Sequence, residues 1–259
     1  ANKSACPGGD TSHPDCLTSK ATAAGYAIVL PDGTGTRPLR NIRTWNAGGN
    51  VGELQCVSGA ACAEGVDDMA YLDDVHAELE RFLPIDSTRV FATGLSNGGA
   101  IAHRFACQRS ERLAAIAAIA GANQFAAAGG SCPGQVAVMH MHGTEDPCWR
   151  YETSTAACLQ ADGKLRVGVD DTMEAWRVAH GCNPTPESEA IPDTSDDQTT
   201  STHFRWTGCT AATELVRVEG GGHTIPQGDS FFGEERVGRI AQDYDADDLV
   251  LEFFNANPR

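Results

Sequence analysis

The sequence predicts a single α/β domain with a mostly parallel sheet flanked by helices. Three observations predict it. Short apolar segments alternate with helical ones, the apolar segments lack polar alternation, and 259 residues suffice for one large core. Strands that are covered by helices on both faces are apolar along their whole length. We therefore expect one domain over residues 1–259, cross-linked by disulfides.

The predicted elements follow in chain order. Residues 26–30 form an apolar, partly β-branched run before Pro31, Asp32 and Gly33, which predicts a buried strand and a turn. Apolar residues at spacings of three and four predict a helix over 65–82. The later predicted strands cover 89–93, 113–120, 136–141 and 214–218, and the later predicted helices cover 100–107, 171–180 and 246–254.

Polarity and charge restrict the partners. Residues 184–202 are rich in Asp, Ser, Thr and Pro and predict a polar surface excursion. No apolar run reaches the roughly 18 residues that a membrane-spanning helix requires. The net charge of −16 argues against nucleic acid, because phosphate binding requires a basic surface. We expect neither a membrane nor a nucleic-acid partner.

The ten cysteines predict disulfides and an oxidising compartment. None has the spacing of a zinc site. Buried free thiols are the alternative, and the spacing leaves other connectivities open. The predicted disulfides, together with a sequence that starts at Ala1, predict a processed secreted or periplasmic protein. The economical pairing is Cys6–Cys16, Cys56–Cys62, Cys148–Cys158, Cys182–Cys209 and, by remainder, Cys107–Cys132.

Residues 94–98 match the pattern G-x-S-x-G after a predicted strand and before a predicted helix. This context predicts a nucleophilic serine, Ser96, on a sharp turn that requires glycines at 94 and 98. The backbone N–H of Asn97, at the helix start, is the predicted oxyanion donor. A plain glycine-rich turn with an uninvolved serine is the alternative.

A serine nucleophile requires a base and a group that orients the base. Asp146 and His223 follow two later predicted strands, in the Ser–Asp–His order of this architecture. We expect His223 to accept the serine proton and Asp146 to hold the imidazole tautomer. Glu145 is an alternative acid, and His142 an alternative base that more readily makes structural hydrogen bonds.

The other histidines have no triad pattern. We expect each of them to be a surface residue or a core residue with its hydrogen bonds satisfied. They are His13, His76, His103, His140, His180 and His203.

In these motifs the chain resembles the secreted polyhydroxybutyrate depolymerase and feruloyl or acetylxylan esterase-like branch of the α/β-hydrolases. The resemblance covers about residues 26–254. It implies a triad of Ser96, Asp146 and His223, and it also implies a Cys182–Cys209 disulfide. The motifs that carry it lie at 26–33, 45–48, 65–68, 94–99 with His103 and Cys107, 142–146 and 220–224.

Two departures from the family pattern are visible. The chain lacks the strand and the H-G loop that in the family normally supply the second oxyanion donor. In the family's sheet, this strand lies centrally, between the strands that correspond to residues 26–30 and 89–93. We therefore expect further N-terminal residues in the natural protein, or another segment in that slot, because unpaired sheet edges are costly. The second departure is Ile225, where many relatives carry an aromatic residue, which alters the wall of the substrate cleft.

The predicted function is a secreted serine carboxylic ester hydrolase that needs no metal and no organic cofactor. The predicted substrates are feruloyl or acetyl esters of plant polysaccharide or short aliphatic esters. A polyhydroxybutyrate or other polyester depolymerase is the alternative enzyme. Trp45 and Trp149 are candidate substrate contacts, and packing roles are equally expected for both. A serine peptidase and a non-catalytic binding protein on the same fold are the competing functions.

Overall fold

A computed structural model of the chain describes residues 6, 10, 12–35, 43–48, 59–155, 163–229 and 232–259. Its strands are β1 (Thr34–Gly35), β2 (Arg43–Thr44), β3 (Phe91–Leu95), β4 (Ala115–Ile119), β5 (Ala137–Gly143), β6 (Glu187–Ala190), β7 (Thr200–Trp206) and β8 (Thr213–Glu219). Its helices are α1 (Leu17–Ala23), α2 (Gly59–Glu64), α3 (Asp68–Phe82), α4 (Asn97–Gln108), α5 (Gln124–Ala127), α6 (Val169–Ala179), α7 (Glu234–Val237) and α8 (Ala246–Ala256).

The main sheet has the strand order β3-β4-β5-β8-β7-β6. Strands β3, β4, β5 and β8 run parallel, whereas β7 and β6 are antiparallel to their neighbours. Strands β1 and β2 form a separate antiparallel pair. The predicted α/β class with a mostly parallel, helix-flanked sheet is confirmed. The carboxyl ends of β3, β5 and β8 consequently lie along one edge of the sheet.

Helices cover both faces of the parallel strands. Along β4, Ala117 and Ile119 pack with Phe253 of α8. Ile116, which points to the opposite face, packs with Trp176 of α6 and with residues of α4. Full burial of a side chain such as Ile contributes about 1.5–3 kcal/mol. Two covered faces explain why these strands read as continuous apolar runs.

The boundaries differ from the predicted ones by a few residues. Helix α3 begins at Asp68 rather than at 65, because the side chain of Asp67 accepts a hydrogen bond from the N–H of Ala70 at 3.1 Å. Strand β3 begins two residues later than predicted, and β8 begins one residue earlier. Helix α8 begins at Ala246 as predicted, with Asp245 as its N-cap.

The prediction of a buried strand over residues 26–30 is wrong. The segment has no regular secondary structure, and Ile28, Val29 and Leu30 are 37%, 39% and 50% exposed. Tyr26 does lie beside β3, with its ring 5.8 Å from that of Phe91. An apolar run becomes a strand only when a neighbour pairs with it. Among the described residues, no segment fills the slot expected between 26–30 and β3.

The polar segment 184–202 contributes to the sheet. It contains β6, whose four residues are all exposed, and the first residues of β7. These strands extend the sheet beyond β8 and end it in a polar edge. A short, charged edge strand such as Glu187–Ala190 discourages pairing with other chains.

Three of the predicted disulfides are confirmed. Cys6–Cys16, Cys107–Cys132 and Cys182–Cys209 are bonded. Cys62 and Cys148 are also disulfide-bonded, but Cys56 and Cys158, their predicted partners, lie outside the described residues. Among the helices that the structure describes, none combines the length and apolarity needed to cross a membrane.

Candidate active site

Ser96 occupies the turn between β3 and α4 in a strained backbone conformation. Its φ and ψ are 60° and −123°, in a region that residues other than glycine rarely adopt. A Cβ at Gly94 would lie 2.6 Å from the carbonyl carbon of Gly98, and a Cβ at Gly121 would lie 1.8 Å from the Ser96 oxygen. The turn therefore requires glycine at 94 and 121. At 98 a Cβ would meet no atom within 4 Å, so the predicted steric need there is wrong.

The turn places Ser96 directly at the N-terminus of α4. Its carbonyl oxygen accepts the N–H of Ala100 at 3.0 Å, which makes it the N-cap. Asn97 is the first residue of the helix, where a backbone N–H has no intrahelical acceptor. The positive end of the helix dipole lies at the same place. This position suits the oxyanion role that the sequence predicts for Asn97.

The side chain of Asn97 fixes the loop that carries Trp45. Its Oδ1 accepts the Trp45 N–H at 2.6 Å, and its Nδ2 donates to the Trp45 carbonyl at 3.0 Å. The two bonds hold the backbone of residue 45 beside the nucleophile turn. The Trp45 side chain is half-buried and stacks on Tyr71, with ring centroids 6.2 Å apart. Of the three predicted substrate contacts, Trp45 lies next to the nucleophile turn and is partly open.

The next residue of this loop, Asn46, is held by two buried side chains of opposite charge, Asp68 and Arg104, that sequence reasoning missed. Asp68 Oδ2 accepts the Asn46 N–H at 2.6 Å, and the guanidinium of Arg104 donates to the Asn46 carbonyl. Burial raises the pKa of Asp68 and lowers the pKa of Arg104, and each charge opposes the effect on the other. The signal available in the sequence was that Asp68 and Arg104, of opposite charge, each lie on an otherwise apolar helix face, where a buried charge requires a partner.

Asp146 and His223 form a direct hydrogen bond. His223 Nδ1 lies 2.7 Å from Asp146 Oδ2, and the side chains are 10% and 0% exposed. Asp146 Oδ1 accepts the backbone N–H groups of Cys148 at 2.7 Å and Trp149 at 2.8 Å. Burial alone would raise the pKa of Asp146, but the charge of His223 and the hydrogen bonds from His142 and His223 hold it well below its usual range.

The loops after β5 and β8 pack backbone against backbone. Glu145 donates its N–H to the Gly221 carbonyl at 2.9 Å, and Thr144 donates to the Val218 carbonyl at 2.9 Å. A Cβ at Gly143 would lie 2.2 Å from the Gly221 oxygen. Glycine at 143 thus permits the close approach that brings His223 to Asp146.

The alternative acid and the alternative base occupy other positions. The side chain of Glu145 is 64% exposed and pairs with Arg239 at 2.7 Å. The His142 side chain is fully buried, with Nε2 2.7 Å from the Trp149 carbonyl and 3.2 Å from Asp146 Oδ2. It makes structural hydrogen bonds, whereas His223 is the imidazole with a partly open side chain beside the acid.

Ser96, Asp146 and His223 all follow the carboxyl ends of parallel strands at one sheet edge. Within the described residues, Ser96 Oγ makes no hydrogen bond to His223. In unliganded sites this contact is often long and tightens when substrate binds. Because Nδ1 of His223 faces Asp146, Nε2 is the nitrogen left for the serine. The three-residue assignment stays a prediction.

The other two candidate substrate contacts are buried. Trp149 is 3% exposed, and its indole N–H donates to the Val167 carbonyl at 2.8 Å. Ile225 is 6% exposed and packs in the core with residues of α8. Both side chains have packing positions in this structure, which matches the alternative considered for Trp149.

One group of side chains has the proximity of a metal site. Asp146, Cys148 and His223 each offer a ligand atom within 4.8 Å of the others. The sulfur of Cys148 is disulfide-bonded and therefore supplies no thiolate. Asp146 and His223 are hydrogen-bonded to each other. The chemistry of this donor set fits an acid–base pair rather than a metal centre.

Esterases are among the proteins most similar to this chain. Feruloyl esterase D of Neurospora crassa is 30% identical over 165 residues, which cover 63% of this chain and 49% of that protein. The esterase NocK of Nocardia uniformis subsp. tsuyamanensis is 24% identical over 92% of this chain and 67% of its own length. The acetyl xylan esterase from Aspergillus awamori superposes with a TM-score of 0.46 at 15% identity, over 73% of this chain and 70% of that one.

No family model matches the sequence. The chain spans about half the length of the feruloyl esterases it matches. The predicted resemblance to esterases of this type is confirmed by these relatives, whereas the link to polyhydroxybutyrate depolymerases stays a prediction. The parallel sheet with a strained serine between strand and helix confirms the α/β-hydrolase architecture.

Proposed function

We propose that this chain is a serine carboxylic ester hydrolase in which Ser96 is the nucleophile, His223 the base and Asp146 the orienting acid. The observation that carries the proposal is the 2.7 Å bond from His223 Nδ1 to the buried Asp146, at the sheet edge where Ser96 sits in a strained turn. A binding protein would have no use for this combination of strain and a buried acid–imidazole pair.

The reaction begins with attack of Ser96 Oγ on the ester carbonyl carbon. The serine proton moves to Nε2 of His223, and Asp146 stabilises the resulting imidazolium through Nδ1–H. The carbonyl oxygen becomes an oxyanion that accepts a hydrogen bond from the backbone N–H of Asn97. Collapse of the tetrahedral intermediate breaks the ester C–O bond, and the imidazolium protonates the departing alcohol.

The second half-reaction uses water in place of the serine hydroxyl. His223 takes a proton from water, and the oxygen attacks the acyl carbon of the Ser96 ester. Collapse releases the carboxylic acid and returns the proton to Ser96. These groups complete hydrolysis by proton transfer and acyl transfer alone.

Feruloyl or acetyl esters of plant polysaccharide are the proposed substrates, with short aliphatic esters as simpler ones. Two observations support an aromatic acyl group: the feruloyl esterases among the relatives, and the half-buried Trp45, whose backbone Asn97 holds beside the nucleophile turn. An offset stack on an indole suits a planar feruloyl ring. The disulfides support the further proposal that the protein is secreted.

Hydrolysis of p-nitrophenyl butyrate tests the proposal. We expect turnover by the unmodified protein and loss to background in Ser96→Ala. Turnover that survives this substitution in folded protein would eliminate the serine mechanism, and no turnover by the unmodified protein on any ester would favour a binding protein. Methyl ferulate, acetylated xylan and hydroxybutyrate oligomers, compared with one preparation, then rank the substrate classes.

A further inference from the structure

Behind the Asp146–His223 pair lies a buried series of three histidines. His103 on α4 and His140 and His142 on β5 are all almost completely buried. His103 Nε2 is 3.2 Å from His140 Nδ1, and His140 Nε2 is 3.0 Å from His142 Nδ1. Buried imidazoles in contact are costly unless each nitrogen has a partner of the right kind.

The two ends of the series fix where each proton lies. At one end the indole N–H of Trp176, which can only donate, is 3.1 Å from His103 Nδ1. At the other end His142 Nε2 faces two groups that can only accept, the Trp149 carbonyl at 2.7 Å and Asp146 Oδ2 at 3.2 Å. Each neutral imidazole therefore accepts at Nδ1 and donates from Nε2–H.

The reverse arrangement is excluded by the same groups. Protons on Nδ1 would place the N–H of His103 against the N–H of Trp176. They would also leave His142 Nε2 as an unprotonated acceptor facing a carbonyl and a carboxylate. Two repulsive contacts in the core oppose this state, so the series has one direction, from Trp176 toward Asp146.

Burial disfavours the charged form of two members of the series, His103 and His140. Burial lowers the pKa of His103 to about 3 and lowers the pKa of His140 well below its ordinary value. Among the described residues, two further titratable side chains lie close by: the ring of Tyr151 is 6.0 Å from that of His142, and the ring of His180 is 5.2 Å from that of Trp176. Burial raises the pKa of Tyr151 and lowers the pKa of His180 to about 4, so both are uncharged near neutral pH.

We propose that His142 is a positioning residue for the reaction, held with Nε2–H toward Asp146 by the series Trp176–His103–His140. This inference rests on the proposed function. Asp146 Oδ2 lies 2.7 Å from His223 Nδ1 and 3.2 Å from His142 Nε2, whose N–H it shares with the nearer Trp149 carbonyl at 2.7 Å. The second donor fixes the rotamer of the carboxylate and draws off part of its charge, which limits how strongly Asp146 holds the proton on His223.

The kinetic test compares His142→Leu, which keeps volume without a donor, with His142→Gln, which keeps an N–H donor. For His142→Leu we expect kcat to fall about 10- to 100-fold with KM nearly unchanged, because the acid is misplaced. The acid limb of kcat/KM should move to higher pH by roughly half a unit, because a carboxylate that lacks a donor stabilises imidazolium more. His142→Gln should recover most of both effects.

His180→Leu is the matched control. His180 is equally buried and bonds Thr213 Oγ1 at 2.7 Å, outside the hydrogen-bonded series. We expect this variant to lose stability while its kcat and acid limb stay in place. Equal losses of kcat in both leucine variants, or an unmoved acid limb in a folded His142→Leu protein, would overturn the positioning role.

Nitrogen-15 NMR of imidazole-labelled protein tests the series without any measurement of activity. We expect three histidines that carry a proton on Nε2 between pH 5 and 8, with His103 and His140 neutral, assigned by single substitutions at 103, 140 and 142. A second proton on His103 or His140 in this range, or an Nε2 without a proton on any of the three, would refute the series even if the esterase proposal holds. If instead Ser96→Ala retains turnover, the proposed function fails and the tautomers still decide the series.

Discussion

Asp146→Asn tests the acid–imidazole pair by replacing one carboxylate oxygen with an NH2 group. The asparagine side chain has one oxygen and one NH2 group. Oδ1 of Asp146 already accepts two backbone N–H groups, from Cys148 and Trp149. The amide oxygen must take that place, because the opposite orientation sets NH2 against both donors. The NH2 group then faces His223 Nδ1, where Oδ2 was.

This orientation reverses the tautomer of the base. An NH2 group donates to His223 Nδ1, so the proton of the neutral imidazole moves to Nε2, the nitrogen that must accept from Ser96. We expect kcat to fall by about 10⁴-fold, the loss seen when a triad acid becomes an amide. That loss corresponds to about 5.5 kcal/mol of transition-state stabilisation. The assay is kcat on p-nitrophenyl butyrate, with the melting temperature measured in parallel.

Glu145→Gln is the matched control for this prediction. It makes the same chemical change one residue earlier, on an exposed side chain that pairs with Arg239. We expect kcat within about twofold of the unmodified protein, since exposed ion pairs contribute little. A folded Asp146→Asn protein that keeps a tenth of its activity, or a greater loss in Glu145→Gln, would refute the assignment of the acid.

Three further predictions concern specificity and stability. Trp45→Ala should raise KM for methyl ferulate about 2- to 10-fold and leave KM for p-nitrophenyl acetate nearly unchanged, because only the aromatic acyl group can stack on the indole. Burial, with the nearby charge of Asp245, raises the pKa of Asp247 from 3.8 to about 7. The folded state therefore holds this proton more tightly than the unfolded chain, and the free energy of unfolding falls as pH rises from about 4 to about 7. Asp247→Asn should remove this loss and raise the melting temperature at pH 8 by at least about 2 °C. The pKa of His103 shifts the other way, to about 3 from 6.5, so its contribution is present above pH 6.5 and is lost as pH falls toward 3. Between pH 4 and 6, His103→Gln should reduce the slope of unfolding free energy against pH by about 1.4 kcal/mol per unit, measured by denaturant titration.

The parallel part of the fold could be predicted because its physics is local. A strand covered on both faces, such as Ala115–Ile119, must be apolar along its length, and the sequence alone displays that pattern. Residues 26–30 display it too, yet they form no strand, because pairing depends on a neighbour that lies elsewhere in the chain. The sequence did not predict strands β6 and β7, because they lack a continuous apolar run. They form strands because each pairs with an antiparallel neighbour toward the edge of the sheet, where polar residues are tolerated.

The candidate site divides in the same way. The order of Ser96, Asp146 and His223 follows from loops after parallel strands, which is a topological rule and readable from the sequence. Trp149 and Ile225 differ from this case. Whether a side chain near a site faces substrate or core depends on rotamer and packing, and both residues are buried. Trp45 lies beside the nucleophile turn because Asn97 binds both its N–H and its carbonyl, a contact that only the structure reveals.

The buried histidines show which signal the sequence did contain. His140 and His142 are two residues apart on β5, so their side chains share one face of the strand. Two imidazoles on one covered face each need a partner, and the acid after the same strand is within reach of the second one. A polar pair at strand spacing that leads into a loop with a carboxylate is therefore evidence for a hydrogen-bonded series. Its far end, at His103 and Trp176, depends on how α4 and α6 pack and requires the structure.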